Sequence, residues 1–197
     1  LTHFENANRT FDGWYMIEEH LAETYALVGR TDEAIQLYES VLQRVPKGTF
    51  MAALADVYEQ TGQSEDARTL RRDARSALEH ALERFPNANG AHAIGFFLVH
   101  GPVDRALELA RRNHTLRPGP EATVLLAQAQ LRSGAVDAAK NTIEQALATP
   151  WETAGLHATA WKIFAAAGAS DRAAAQREKA RALNPNADES FAWLDEP

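Results

Sequence analysis

Apolar residues recur along this chain at fixed distances from five glycines, which are spaced 33, 39, 33 and 34 residues apart. An alanine follows each glycine five residues later, and an aromatic residue precedes four of the five by four residues. The glycines are Gly29, Gly62, Gly101, Gly134 and Gly168. A period in this range predicts an array of small helical repeats that stack along the chain.

Each recurring residue has a physical role in a pair of helices. The glycine ends the first helix, because the left-handed backbone conformation common there costs glycine nothing. The alanine lets the second helix approach the first closely, and the aromatic residue fills the space beside the first helix. A proline ends each second helix, since it lacks an amide hydrogen and clashes inside a helix. Thr31, Ser64 and Ser170 each precede an acidic residue and are predicted helix caps.

These signals predict ten principal helices and a short last one. The first helices of the five repeats are predicted at 13–28, 49–61, 89–100, 120–133 and 152–167. The second helices are predicted at 32–44, 65–85, 102–116, 136–148 and 171–183. No glycine or proline interrupts residues 64–85, so the second helix of the second repeat is expected to be unbroken and longer than its counterparts. This extra length is either a tolerated irregularity or a ridge that contacts a partner.

The spacing in the first repeat resembles that of the tetratricopeptide repeat (TPR) family. The matching residues are Leu21, Ala22, Tyr25, Gly29, Ala34, Tyr38, Val41 and Pro46. The chain departs from the family pattern most clearly at Arg71, where a large apolar residue is usual, and at Gln130, which replaces the aromatic residue. The resemblance implies an all-α fold, a right-handed superhelical solenoid of about five TPR helix pairs with a C-terminal capping helix.

The chain divides into three predicted parts. Residues 1–12 form a leader that is loosely ordered or packed back on the fold, and residues 13–188 form the TPR array. Residues 189–197 form a capping helix and tail, because the last repeat of a solenoid needs a cover for its apolar face. A fragment of a sixth repeat is the other interpretation of this last part.

The resemblance also implies a groove, lined by the second, fifth, ninth and twelfth positions of each repeat. The candidate partner-binding residues are Glu19, Glu23, Asp56, Glu59, Leu98, Val124, Gln128, Leu131 and Lys162. Acids stand where related co-chaperones use Lys and Asn to grip a terminal carboxylate. A groove of this sign predicts a basic or amphipathic segment of another protein as the ligand. That the acids are merely solvated is the other interpretation.

Composition narrows the classes of partner. The 27 acidic and 20 basic residues give a net charge of −7, which argues against a general nucleic-acid surface. The chain has no cysteine and no long apolar run, so neither a disulfide framework nor a membrane span is predicted. Because residue 1 is Leu rather than Met, a processed piece is expected. A soluble protein follows, cytoplasmic or, if a signal peptide was removed, periplasmic.

Catalytic and metal chemistry find little support in the sequence. His20 and Glu23 lie one turn apart beside Glu19, but a third ligand at metal-binding spacing is missing. No nucleophile elbow, phosphate-binding loop or dinucleotide motif occurs, so no enzyme activity, metal or cofactor is expected. The expected function is a non-catalytic protein–protein interaction module or scaffold. The alternative is a regulatory or scaffolding TPR domain of a larger enzyme or of a secretion or envelope assembly. The sequence leaves the oligomeric state open.

Overall fold

Helices make up nearly all of the chain in this computed structural model, which describes residues 1–195. Twelve α-helices and one 3-10 helix follow one another, and the described residues contain no β-strand. The predicted all-α class is therefore confirmed. Residues 196–197, the end of the predicted tail, lie outside the described part of the chain.

The helices fall into two compact units, Leu1–Arg84 and Phe85–Pro197. Unit 1 contains α1 (Thr2–Thr10), α2 (Tyr15–Leu27), α3 (Thr31–Arg44), α4 (Gly48–Gln60) and α5 (Ser64–Arg84). Unit 2 contains α6 (Pro86–His100), α7 (Val103–Leu116), α8 (Pro120–Arg132), α9 (Val136–Leu147), α10 (Ala154–Ala166), α11 (Ser170–Leu183), α12 (Ala187–Ser190) and the 3-10 helix (Ala192–Asp195).

Within each unit the helices pack as pairs in chain order. In unit 1, α2 packs on α3 and α4 on α5; in unit 2, α6 packs on α7, α8 on α9 and α10 on α11. These are the five predicted helix pairs. The first helices of neighbouring pairs also contact one another, α2 with α4 in unit 1 and α8 with both α6 and α10 in unit 2. They therefore share one side of each unit, which we call its first-helix face.

Four of the five glycines that recur once per repeat end their helices in the predicted conformation. Gly29, Gly62, Gly134 and Gly168 have φ values between 73° and 80°. Gly101 differs, because its φ of −124° is extended, as expected for a residue that precedes a proline. A Cβ atom at Gly101 would collide with Cδ1 of the Phe97 ring and lie 3.0 Å from the Cα of Phe97. The space taken by Phe97, rather than a left-handed conformation, therefore favours glycine there.

The predicted caps are wrong at Thr31 and Ser170. These residues begin α3 and α11, and in neither helix does a side chain cap the first backbone amides. The hydroxyl of Ser64 donates to Oε1 of Glu59 at 2.8 Å. Thr153 does cap a helix, because its Oγ1 accepts a hydrogen bond of 3.1 Å from the amide of the third residue of α10. A threonine followed directly by an acid was therefore a poor signal for side-chain capping in this chain.

The alanine that lies five residues after the recurring glycine of each repeat is buried where paired helices meet. Ala34, Ala67, Ala106 and Ala139 are fully buried, and Ala173 is 6% exposed. A larger side chain at these positions would push the two helices apart. The predicted role of the alanines is confirmed.

Helix α5 is the longest in the chain. It runs without a break for 21 residues, whereas the other second helices have 12 to 14. The prediction of one continuous, lengthened helix is therefore confirmed. At about 1.5 Å per residue, the difference of at least seven residues adds roughly 10 Å.

Both ends of the described chain pack onto the helix that neighbours them. Residues assigned to the leader form α1, where the ring of Phe4 lies 5.7 Å from that of His20 and Glu5 accepts a hydrogen bond of 3.0 Å from Arg30. At the other end, α12 contacts α10 and α11, and the 3-10 helix contacts α8 and α10. The last segment thus reaches the first-helix face of unit 2.

Candidate functional site

The predicted acids of unit 1 lie around one buried side chain. Glu19 and Glu23 are one turn apart on α2, so they share a face of that helix, and Asp56 lies on the neighbouring α4. The pKa of the Tyr38 hydroxyl is raised chiefly by burial, and then by the charges of Glu19, Glu23 and Asp56. The charges of all three acids therefore act on one buried phenol. We call these three acids, all on first helices, the acidic surface of unit 1.

Glu19 and Glu23 flank a histidine at the α2 end of this surface. Nδ1 of His20 lies 3.3 Å from a carboxylate oxygen of Glu19 and 3.4 Å from one of Glu23. Burial raises the pKa of the Glu19 carboxyl, and Glu23 adds to the rise, while His20 and Lys47 oppose it. The burial of Glu19 therefore outweighs the stabilising charges of His20 and Lys47.

The same three residues could approach a cation. One ligand atom from each of Glu19, His20 and Glu23 lies within 4.8 Å of the others. Such a spacing also arises whenever a histidine sits between two carboxylates. The geometry therefore extends the metal pair considered in the sequence to three groups, without requiring a metal.

The negative charges of Asp56 and Glu59 are balanced by an arginine of unit 1. Arg71 of α5 donates to Asp56 at 3.1 Å and to Glu59 at 2.8 Å. The pKa of Glu59 is lowered first by its hydrogen bond from Ser64 and then by Arg71. A partner would find these carboxylates already paired, in contrast to Glu19 and Glu23. The departure from the family pattern at Arg71 was the sequence signal for this arrangement.

Unit 1 also has an apolar crevice that the sequence reading missed. It has a volume of about 500 Å³ and is lined by Glu39, Leu42, Gln43, Leu54, Tyr58, Asp66, Thr69 and Leu70. The hydroxyl of Tyr58 donates to Glu39 at 2.7 Å, and burial followed by that bond raises the pKa of Tyr58 to about 12. The crevice was missed because two of its three helices are second helices, which the groove positions of the family do not include.

Three predicted groove residues of unit 2 lie inside the fold. Leu98 is 1% exposed, and Val124 and Gln128 are each 6% exposed. Nε2 of Gln128 donates to Oγ1 of Thr159 at 2.9 Å, which satisfies the buried amide. These three side chains stabilise the contacts among first helices, so a partner cannot reach them in this conformation.

The other two predicted residues of unit 2 meet the last segment of the chain. Leu131 is half-buried, and Lys162 is 8% exposed. Nζ of Lys162 pairs with the carboxylate of Asp195 and lies 4.1 Å from the ring centre of Trp161. A crevice of about 590 Å³ beside this pair is lined by Leu131, Arg132, Ser133, Gly134, Val136, Lys162, Ala165, Ala166, Leu194 and Asp195. Lys162 therefore already has a carboxylate ligand, supplied by the chain itself.

Comparisons with known proteins show which proteins resemble this chain in sequence or in structure. Residues 19–49 match the family model described as tetratricopeptide repeat. No curated protein matches the chain in sequence. A thermophilic TPR protein from Thermus thermophilus is similar in structure, with a TM-score of 0.63, 19% identity, and coverage of 91% of this chain and 98% of that one.

Two further solved structures are similar. A tetratricopeptide repeat protein from Parabacteroides merdae has a TM-score of 0.54 and 18% identity, with 97% of this chain and 89% of that chain covered. A Podospora anserina protein, a putative kinesin light chain with nearly identical TPR-like repeats, has a TM-score of 0.53 and 20% identity, with 86% and 94% covered. At these identities the matches establish the fold and leave the function to the residues of this chain.

Proposed function

We propose that this protein, a tetratricopeptide repeat protein, is a non-catalytic interaction module that holds a basic, amphipathic segment of a protein partner against the acidic surface of unit 1. The observation that carries the proposal is the position of Glu19 and Glu23. Both lie on α2, a first helix, and neither has an arginine or lysine as an ion-pair partner within 4 Å among residues 1–195.

A cationic side chain would relieve an existing electrostatic cost. The pKa of Glu19 is raised because burial disfavours its charge, so an incoming Lys or Arg would stabilise the ionised form more than it would for a solvated acid. Opposite charges across an interface mainly increase the rate of association and the specificity. Binding should therefore release protons near the pKa of Glu19.

Exposed aromatic side chains at the start of unit 1 fit the apolar part of the ligand. Phe4 is 37% exposed and stacks near His20, which itself contacts both acids. Trp14, at the start of α2, is 52% exposed and lies edge-to-face with Phe11 at 5.9 Å between ring centres. Aromatic side chains next to charges are typical of surfaces that bind one apolar and one charged face of a peptide.

The remaining properties agree with a protein ligand. The net charge of −7 opposes nucleic-acid backbones. Among residues 1–195, no helix combines the length and apolar character needed to cross a lipid bilayer.

The test uses a labelled synthetic amphipathic helix of Lys and Leu and measures its fluorescence anisotropy with the full chain. Affinity should fall at least tenfold between about 50 and 200 mM salt. The double variant Glu19→Gln, Glu23→Gln should lose most of the salt-dependent part of the affinity. The matched control is Glu65→Gln with Glu83→Gln, an equal charge change at exposed sites on α5. If the α5 control weakens binding as much as the α2 pair, the acidic surface is not the binding site.

A further inference from the structure

Residues 187–195, which we call the 187–195 segment, lie on the first-helix face of unit 2. α12 contacts α10 and α11, and the 3-10 helix contacts α8 and α10. A cover for the end of a solenoid needs only the last helix pair. This segment continues past that pair to α8, so it also occupies a surface that first helices normally offer to a ligand.

Small residues on α10 and α11 make room for the apolar part of the segment. The ring of Phe191 lies against Gly155, where an added Cβ atom would be 3.6 Å from the ring, and packs on a cluster of Ala158, Ala180 and Ala187. Leu194 is 4% exposed. Phe191 and Leu194, three residues apart, are thus the apolar anchors.

Polar groups of unit 2 bind features that other peptides share. Nη1 of Arg132 donates to the backbone carbonyl of Trp193 at 2.8 Å, and Lys162 pairs with the carboxylate of Asp195. Asp188 accepts hydrogen bonds from both Arg177 and Arg181. In a chain of net charge −7, four cationic side chains of unit 2 thus bind the 187–195 segment, whereas the acidic surface of unit 1 is made of carboxylates.

The segment leaves part of this surface unfilled. The crevice of about 590 Å³ is lined by Leu194 and Asp195 of the segment and by residues of unit 2 that include Leu131 and Ala165. A longer or bulkier ligand could fill it and gain apolar contacts that the segment does not make.

We propose that residues 191–195 are an internal ligand of a peptide-binding site on unit 2, and that a partner segment of the same chemistry displaces them. The partner segment has an aromatic residue, a leucine three positions later and a carboxylate directly after the leucine, as in Phe191, Leu194 and Asp195. This site is distinct from the acidic surface of unit 1 and selects ligands of the opposite charge.

An internal ligand weakens external binding by a predictable mechanism. A tethered segment acts at an effective concentration of about 1 mM, so it occupies the site even when its intrinsic affinity is modest. The apparent affinity for an external peptide is reduced by the fraction of molecules in which the site is free. Releasing the segment should therefore strengthen binding of an external peptide without any change in the site.

The test measures binding of a fluorescently labelled peptide of residues 187–195 to the full chain. Leu194→Asp places a charge at a buried position and should release the segment, and peptide binding should become at least tenfold tighter than to the wild type. Ala192→Asp is the matched control, because it adds the same charge to an exposed position of the segment. Its affinity should equal that of the wild type. Hydrogen exchange should show faster exchange of residues 187–195 and retained protection of α8 and α10 in Leu194→Asp.

A second variant covers the case in which Leu194→Asp impairs folding. Asp195→Lys changes a side chain that is 62% exposed and removes the attraction to Lys162. Peptide binding to this variant should also be tighter than to the wild type, and adding Lys162→Asp should restore docking of the segment, measured as renewed hydrogen-exchange protection of residues 187–195. Equal affinity for the wild type and the variants, or no binding to any of them at about 1 mM peptide, would show a fixed cap and overturn the proposal.

Discussion

The first-helix faces of the two units differ in charge and in how far they are covered. In unit 1 the first helices carry Glu19, Glu23, Asp56 and Glu59, and Arg71 pairs with the two acids of α4. In unit 2 the corresponding face is buried by contacts between first helices and by the 187–195 segment, which pairs with Lys162. The repeat pattern therefore sets the position of each helix, whereas side chains outside the pattern decide whether a face stays available to a ligand.

The aromatic position four residues before the recurring glycine shows a second contrast between the two units. In unit 1 it is a half-buried tyrosine, and the hydroxyl of Tyr58 donates to Glu39. In unit 2, Phe97 and Phe164 are fully buried. Tyrosine keeps its polar end near water and fills the gap with its ring, whereas phenylalanine suits a site without polar partners. The aromatic contacts of unit 2 should therefore contribute more to stability.

Truncating an aromatic residue in each unit tests this contrast and should give the largest effects. Phe164→Ala should cost about 3–5 kcal/mol, because the ring is fully buried in a cluster with Ile143 and Ile163. Tyr58→Ala truncates a ring that is only half-buried and should cost less, because less apolar surface is lost. Native-state hydrogen exchange reports the loss separately for each unit. Equal losses would show that the two aromatic positions are equivalent.

The glycine that begins α4 and a glycine inside α6 should respond to alanine with opposite signs. A Cβ atom at Gly48 in unit 1 would lie 2.7 Å from the carbonyl oxygen of Ala74 and from Cγ of Leu78, so Gly48→Ala should cost about 1–3 kcal/mol. At Gly95 in unit 2 nothing lies within 4 Å, and Gly95→Ala should stabilise by about 0.5–1 kcal/mol. Thermal unfolding of the two variants checks the signs. A stabilising Gly48→Ala would mean that α4 and α5 can separate at little cost.

Local signals predicted the helices well, because each depends on a few neighbouring residues. Left-handed glycines such as Gly134 end helices by their own backbone preference, and the long α5 followed from the absence of glycine and proline. The pairing of Lys162 with Asp195 was not predictable, because the two residues are 33 positions apart and belong to no periodic pattern. The availability of a groove residue depends on such distant contacts, and for that reason the helices were easier to predict than the candidate site.

Loss of a helix cap should lower the free energy of unfolding of unit 2 by about 1 kcal/mol, and the matched change in unit 1 should lower it less. Thr153→Ala in unit 2 removes the acceptor for the amide of Leu156 and should cost about 0.5–2 kcal/mol. Thr31→Ala in unit 1 is the matched change at a helix start without a side-chain cap, and its effect should stay within about 0.5 kcal/mol. Urea unfolding of both variants measures the difference. A comparable loss in Thr31→Ala would contradict the corrected assignment of caps.

Acidification should have the smallest effect, with opposite signs in the two units. The pKa of Asp188 in unit 2 is lowered by hydrogen bonds from Arg177 and Arg181. A lowered carboxyl pKa contributes stability that is present above the unfolded pKa of about 3.9 and is lost as the pH falls through the folded pKa.

Glu19 in unit 1 has a raised pKa, and its neighbours are His20, Glu23 and Lys47. Its contribution is therefore greatest below the unfolded pKa of about 4.3 and declines as the pH rises through the folded pKa. At neutral pH, Glu19→Gln should stabilise unit 1 slightly, whereas Asp188→Asn should destabilise the 187–195 segment. Both differences from the wild type should shrink at low pH, because protonation then gives the wild type a neutral group at each position. Unfolding of the wild type and both variants at neutral and acid pH measures them, and a Glu19→Gln variant that is less stable at neutral pH would show that ionised Glu19 already has adequate partners and needs no basic ligand.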